Sequence, residues 1–227
     1  MYDRQLRLWG VQAQQRLRQA KILLYGLTAV QSEICKNLVL AGIHSVTVGD
    51  VQICSVKDLS CNLFLDASSI GKNRAEASVE RIRELNPHVQ VSATTQEVGS
   101  IDLSQFDVCV LSGASLSTTM EVNQRARNSK SLFFSVETFG VLGYMFEDLM
   151  DLFSYEKKVE GETKTQCITS VPFQRALQSN IQHHSNPIYL ALRILLLFEE
   201  KCKRCPGEGD VEELVGFRDE LIGPLVQ

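Results

Sequence analysis

A chain of 227 residues, 44% of them hydrophobic, can bury a full core as one large domain or one and a half. Its formal net charge of −4 excludes the basic footprint of a nucleic-acid binder. No apolar h-region opens the chain, and the longest apolar run, residues 188–198, is about half a membrane span and carries Arg193, so neither signal peptide nor membrane anchor is expected.

Tyr2, Leu6 and Trp9 recur at helical spacing and predict a short helix, with Arg4 off the apolar stripe and Asp3 and Arg7 spaced for a surface pair. A second helical stretch, 11–19, leads into a strand over residues 21–26. In a nucleotide-binding half-domain such a strand runs into G-x-G-x-x-G, because glycine lets the backbone turn tightly and approach phosphate. Here the residues from Gly26 read Gly-Leu-Thr-Ala-Val-Gln, and only the first glycine remains. Val30, Ile34, Leu38 and Ala41 then repeat at helical spacing and stop at Gly42, placed to terminate the helix. Residues 45–50 read as a second strand ending in Asp50. An acid there contacts a ribose hydroxyl in this kind of fold, or else caps the strand end and accepts a backbone N–H.

Residues 51–69 form a long irregular connection. A helix follows with Ala75, Val79, Ile82 and Leu85 on one face and Asn86-Pro87 as its stop. Strands are expected at 89–92, 108–111 and 132–136, with a helix over 117–127 and a further, antiparallel strand over 140–146. This alternation predicts an α/β fold: a Rossmann-like, doubly wound, mostly parallel sheet with helices on both faces, an antiparallel strand extension and a C-terminal helical segment. Residues 1–150 form one half-domain, and 151–227 a loop plus helical segment of the same subunit. Within the latter, 156–164 is charged and reads as a loop or hairpin tip. Asn186-Pro187 reads as the N-cap and first residue of an apolar helix over 188–200, followed by a loop over 202–209 and a final amphipathic helix over 211–221.

Seven cysteines, at 35, 54, 61, 109, 167, 202 and 205, lack the spacing of a disulfide framework and fit a reducing intracellular compartment. Cys202-Lys-Arg-Cys205 is a lone C-x-x-C. A structural zinc needs four ligands, and only His44, His88, His183 and His184 are available besides, so no metal is expected and the pair reads as a helix end. No neighbouring sequence marks any cysteine as an activated nucleophile.

Three blocks in order carry a resemblance: residues 2–10 (Tyr-Asp-Arg-Gln-Leu-Arg-Leu-Trp-Gly), 36–43 (Lys-Asn-Leu-Val-Leu-Ala-Gly-Ile) and 70–77 (Ile-Gly-Lys-Asn-Arg-Ala-Glu-Ala). Together they resemble the activating enzymes of ubiquitin-like modifiers, within the ThiF/MoeB adenylation superfamily, and specifically the half without the catalytic cysteine. Residues 83–87 (Arg-Glu-Leu-Asn-Pro), Phe139-Gly140 with Gly143-Tyr144, and 170–173 (Ser-Val-Pro-Phe) make the chain look most like the smaller, Aos-type subunit of the SUMO-activating enzyme. The nearest alternative is the regulatory subunit of the NEDD8-activating enzyme, whose chains are much longer and carry a large insertion. Members of the Aos-type group continue for some tens of residues past the point where this chain ends, so by the resemblance segment 151–227 reads as truncated at Gln227, or as an isoform lacking that last piece.

The resemblance implies a division of labour. A catalytic large subunit (Uba2-type) binds ATP and Mg2+ and adenylates the C-terminus of SUMO. That active half supplies a glycine-rich loop, a ribose aspartate, an Asn-x-x-Arg-Gln segment with a lysine near the phosphates, and a magnesium-binding aspartate. In this chain the loop is broken, residues 60–63 (Ser-Cys-Asn-Leu) bring no positive charge, Arg74 stands for the lysine, and Gly113-Ala114-Ser115 occupies the place of the magnesium acid. Gly26, Asp50 and Arg74 are then vestiges of a site that holds no cofactor of its own, and the isolated chain is expected to be inactive. Arg4, read alone a solvated helix charge, reaches across the heterodimer to the partner's ATP phosphates in this reading. A nuclear address, with the cytoplasm as a second, also rests on the resemblance, and neither nucleic acid nor membrane is implied as a partner. Other classes remain: a stand-alone adenylating homodimer, an interaction module with no catalytic part, and a nicotinamide-dependent dehydrogenase. The lost glycines argue against the first and the last.

Overall fold

The computed structural model describes residues 3–159, 162–182, 185–204 and 206–222. Met1, Tyr2, residues 160–161, His183, His184, Cys205 and residues 223–227 lie outside them. Five strands run parallel: β1 (Lys21–Tyr25), β2 (Ser45–Gly49), β3 (Gln90–Thr94), β4 (Val108–Leu111) and β5 (Leu132–Phe139). β6 (Leu142–Asp148) returns antiparallel along β5, giving the order β3-β2-β1-β4-β5-β6. A parallel sheet covered on both faces needs near-continuous apolar strands. β1 meets that demand, with Leu23 and Leu24 both fully buried on opposite faces.

The helices supply the two covers. α2 (Ala29–Ala41) and α3 (Arg74–Leu85) pack Cys35, Val39 and Ile82 against Leu24, Val46 and Val48. On the other face α4 (Leu116–Ser129) sets Val122 and Ala126 against Leu23, Leu111 and Phe133. From β1 the chain winds outward to β2 and β3, and from β4 outward to β5. The connections therefore diverge between β1 and β4, and the C-terminal ends of those two strands flank the crevice where this class of sheet receives ligands.

Gly42 terminates α2 in the left-handed conformation at φ 85°, its N–H reaching the Leu38 and Val39 carbonyls, as expected of that glycine. The expected stripe Val30–Ile34–Leu38 is only half-buried, while Gln31, Cys35 and Val39 form the most buried line. Two of those three are polar or small, which is why hydrophobicity alone placed the inward face one residue off. The first two expected helices are both present, meeting at a kink at Gly10 and labelled together α1 (Asp3–Leu17).

Beyond β6, the charged segment read as a loop or hairpin tip belongs to a two-stranded hairpin, β7 (Phe153–Val159) and β8 (Glu162–Ile168). Its described residues are mostly exposed, so no apolar alternation marks the two strands in the sequence. Short α5 (Phe173–Leu177), then α6 (Pro187–Cys202) and α7 (Val211–Ile222) complete the described chain, with Asn186 capping α6 and Pro187 at its start. α6 takes in Cys202, the first residue of the expected loop. Among the described residues no helix is long and apolar enough to cross a membrane.

A buried ion pair fastens this later part to the sheet. Asp148, fully buried at the end of β6, receives Arg127 Nε at 2.6 Å, Arg127 Nη2 at 2.8 Å and Asn123 Nδ2 at 2.7 Å. Arg127 also donates to the Ser170 carbonyl at 2.8 Å, and Asn123 Oδ1 accepts the Phe173 N–H at 2.8 Å. Removing one partner of such a pair leaves a charge without compensation in a low dielectric. Arg127→Ala is therefore expected to lower the unfolding free energy by about 3–5 kcal/mol. Urea denaturation checks this, and a loss under about 1 kcal/mol, the scale of an exposed pair, contradicts it.

Candidate functional site

The crevice is built from the loops that follow β1, β2 and β4, with the end of β5 beside it. Gly26, at φ 81°, makes the turn out of β1, and a Cβ there would lie 1.7 Å from the Ser112 carbonyl oxygen. That close approach of two loop backbones explains why this glycine survives. The two later glycine positions of the motif hold side chains. Thr28 is the N-cap of α2, its Oγ1 accepting the Gln31 N–H at 3.5 Å and sharing a 2.7 Å hydrogen bond with Ser112 Oγ. Gln31, fully buried, donates from Nε2 to the Val110 carbonyl at 2.8 Å and the Tyr25 carbonyl at 3.3 Å, bridging the ends of β4 and β1. A helix N-terminus freed by glycines offers its N–H groups to phosphate. Here threonine and glutamine side chains have filled that space.

Asp50 keeps its predicted place at the end of β2, but both carboxylate oxygens are taken. Oδ2 accepts the Leu27 N–H at 2.7 Å and faces Arg74 Nη2 at 2.9 Å, and Oδ1 accepts the Gln52 N–H at 2.8 Å. The side chain is 3% exposed. Of its two open readings, ribose acid or backbone acceptor, the geometry realises the second. Arg74, the first residue of α3, also reaches Asp58 Oδ1 at 3.1 Å. Burial works against the Arg74 charge, and the two carboxylates outweigh it, so the guanidinium is held charged more firmly than a free one. From the 60–63 segment Asn62, buried, donates to the Leu27 carbonyl at 3.0 Å and accepts the Phe64 N–H at 3.0 Å, tying that connection to the broken loop. Gly26, Asp50, Arg74 and Asn62 thus come together.

One residue of the crevice has no forerunner in the sequence reading. Glu137, at the crevice end of β5, accepts the N–H of Gly113 in the loop where a magnesium acid was sought. Burial raises its carboxyl, the Gly113 and Ala114 amides pull it down and Glu199 pushes it up, with a net position of about 7. From α6, Glu200 Oε2 accepts the Ser117 N–H at 3.2 Å in the first turn of α4. No motif marks Glu137. Only the β5–β6 register, with Glu137 opposite Tyr144, sets it at this edge.

Two backbone donors of the crevice, the N–H groups of Leu27 and Gly113, already hold the carboxyl groups of Asp50 and Glu137, and its cation Arg74 is paired with Asp50 and with one further carboxylate, Asp58. Among the described residues no cluster of three or more His, Cys, Asp or Glu is placed to hold a metal ion, and Cys205 of the C-x-x-C pair lies outside them.

Arg4 sits far from this in kind: it is exposed on the first half of α1 and has no hydrogen-bond or ion-pair partner among the described residues. Arg7, one turn on, pairs with Asp3 at 2.9 Å as its spacing predicts.

A doubly wound sheet with its crevice at the β1–β4 divergence, and that crevice occupied by its own side chains, defines a Rossmann-type half-domain. The ThiF family matches residues 2–180. The chain is 35% identical over 233 residues to SUMO-activating enzyme subunit 1 of Dictyostelium discoideum, covering 98% of this chain and 71% of that one. With subunit 1B-1 of Arabidopsis thaliana the identity is 32%, over 94% and 70% of the two chains, and with subunit 1 of Xenopus tropicalis 39%, over 70% and 47%. Among solved structures, E. coli MccB superposes with a TM-score of 0.52 at 17% identity, covering 59% of this chain and 38% of that one. E. coli tRNA N6-threonylcarbamoyladenosine dehydratase TcdA gives 0.52 at 21%, covering 59% and 58%. At such identities these two likenesses show the fold alone. The chain belongs to the ThiF family, in the branch of SUMO-activating enzyme subunit 1.

Glu137 has a consequence for stability against pH. Its folded carboxyl holds a proton up to about pH 7, above the ordinary value of 4.5, so the folded state binds more protons than the unfolded one between those limits. Its contribution is fully present below the unfolded value and is lost as pH rises through the folded one. Glu137→Gln keeps an acceptor for Gly113 and cannot ionise. Relative to this variant, the wild-type chain is expected to be less stable at pH 7.5 than at pH 5, measured by denaturant unfolding at both. An equal difference at the two pH values contradicts the raised carboxyl.

Proposed function

We propose that this chain is the non-catalytic subunit of a heterodimeric SUMO-activating enzyme, and that it lends Arg4 in trans to the ATP site of a catalytic large subunit. One contrast carries the reading: the chain's own crevice has spent its donors and cation internally, while Arg4 stands exposed with its charge unpaired. The relatives named SUMO-activating enzyme subunit 1 supply the modifier and the shared enzyme.

The chemistry asked of the partner is attack by the modifier's C-terminal carboxylate on the α-phosphate of ATP, with pyrophosphate leaving. Negative charge then builds on phosphate oxygens in a water-poor site, and fixed cations there lower the barrier. A guanidinium suits the task because it is always charged and forks onto two oxygens at once. ATP and Mg2+ belong to the partner in this reading, because two donors and the cation of this chain's crevice already hold carboxyl groups.

The test uses the complex of this chain with its catalytic partner. Arg4→Ala is expected to slow ATP–pyrophosphate exchange by about 10- to 1,000-fold, below the ceiling known for arginine fingers because other cations share the load. Arg4→Lys is expected to recover part of the loss. Exchange at the wild-type rate by the Arg4→Ala complex removes the in-trans role, and calorimetric binding of ATP by the isolated chain removes the claim of a spent crevice.

A further inference from the structure

α1 is helical on both sides of Gly10, whose own backbone sits at φ 84°, ψ 172°. That region is essentially open to glycine alone. An ideal Cβ at Gly10 would meet nothing within 4 Å, so the glycine is not there to make room for a neighbour. It is there for the bend. The half of α1 after the bend is anchored: Gln14 is 4% exposed, and Leu17 packs against the core around Leu24 and Val46. The half before it projects, with Leu8 78% exposed and Trp9 43%. Across the bend Trp9 Nε1 donates to Gln14 Oε1 at 3.0 Å, linking the projecting half to the anchored one. Gln14 Nε2 and Gln5 Oε1, a donor and an acceptor on the two halves, are buried without partners, a cost that a helix free to lie anywhere would shed.

We infer that the Gly10 bend and the Trp9–Gln14 hydrogen bond aim Arg4 at the partner's phosphates, making Gly10, Trp9 and Gln14 positioning residues for the in-trans arginine. This rests on the role proposed above for Arg4. Six residues of helix separate Arg4 from the bend, a lever of about 9 Å. A change of direction at its root moves the guanidinium by ångströms, and a misplacement of about 1 Å at a reacting group costs on the order of a hundredfold in rate. Alanine at position 10 is a strong helix former that cannot hold the bend without strain, so it favours one continuous helix.

In the heterodimer, Gly10→Ala is expected to slow ATP–pyrophosphate exchange by about 10- to 100-fold. Co-purification with the partner is expected to be kept, and the thermal midpoint to fall by no more than about 4 °C, because the added methyl meets no neighbour and the backbone strain is relieved by straightening α1 rather than by unfolding the domain. The discriminating measurement is the double variant. If the bend acts only through Arg4, Arg4→Ala with Gly10→Ala exchanges no more slowly than Arg4→Ala alone. Trp9→Phe keeps ring and backbone and removes one donor, so it is expected to cost about fivefold, the worth of one hydrogen bond, and to be equally silent in the Arg4→Ala background. This variant decides the matter should the Gly10→Ala complex fail to assemble. Wild-type exchange in both Gly10→Ala and Trp9→Phe, with Arg4→Ala slow, overturns the positioning role and leaves the proposed function standing. Losses that multiply with that of Arg4→Ala also overturn it. A neutral Arg4→Ala removes the proposed function itself.

Discussion

Backbone N–H groups at the C-terminal edge of a parallel sheet must find acceptors, because the loops there approach too closely for water to serve them all. In a nucleotide-binding sheet the acceptors are phosphate oxygens. In this chain they are its own side chains: Asp50 takes Leu27, Glu137 takes Gly113 and Glu200 takes Ser117. Three of the amides at this edge are thus served from within, and Arg74 is drawn inward to balance Asp50 and Asp58 rather than left facing solvent. Gln31 Oε1 and Arg74 Nε stay buried without a partner among the described residues.

The sheet was legible because its signals are local and redundant. Apolar runs at 21–25, 45–49 and 108–111, the Gly42 stop and the Asn86-Pro87 stop each state one element, and a doubly wound order is the way such elements close. The candidate site was half legible. The missing glycines announced that the loop had changed, and Asp50 could be placed by its distance along the chain from Gly26. What replaced the glycines was not legible, because Gln31 bonds to carbonyls of β1 and β4 and Glu137 to an amide 24 residues away in sequence. Such partners exist only once strand order and register are known. For residues 156–164 the sequence leaves loop and hairpin tip open, and the structure realises the hairpin. A ribbon exposed on both faces has no inward face to enforce period-two alternation, so Lys157 and Lys164 can stand opposite each other in register, and composition alone does not separate the two readings.

The N-terminal helix obeys other constraints than the domain it precedes. Inside the domain, the buried charges are matched: Asp148 meets Arg127 and Asn123, and Asp50 meets Arg74. On α1, Leu6, Leu8, Trp9 and Val11 are exposed, two glutamine atoms go without partners, and one backbone residue is held where only glycine is at ease. Exposed apolar side chains, unpartnered buried amides and a backbone held where only glycine is at ease, met together in one short element, are a pattern expected where structure serves something outside the chain.

The order of dependence within the crevice bears on how such a site loses its nucleotide. Restoring glycine at positions 28 and 31 would remove a helix cap and a bridge between strands, yet Arg74 would still neutralise Asp50 and Glu137 would still cover Gly113. The glycines are therefore not the lock by themselves. Asp50 is held by one backbone amide on each oxygen and by a guanidinium besides, and a ribose hydroxyl offers a single neutral hydrogen bond in exchange. A charge-assisted contact is about twice as strong as a neutral one, so the competition favours the internal partner even with the loop reopened.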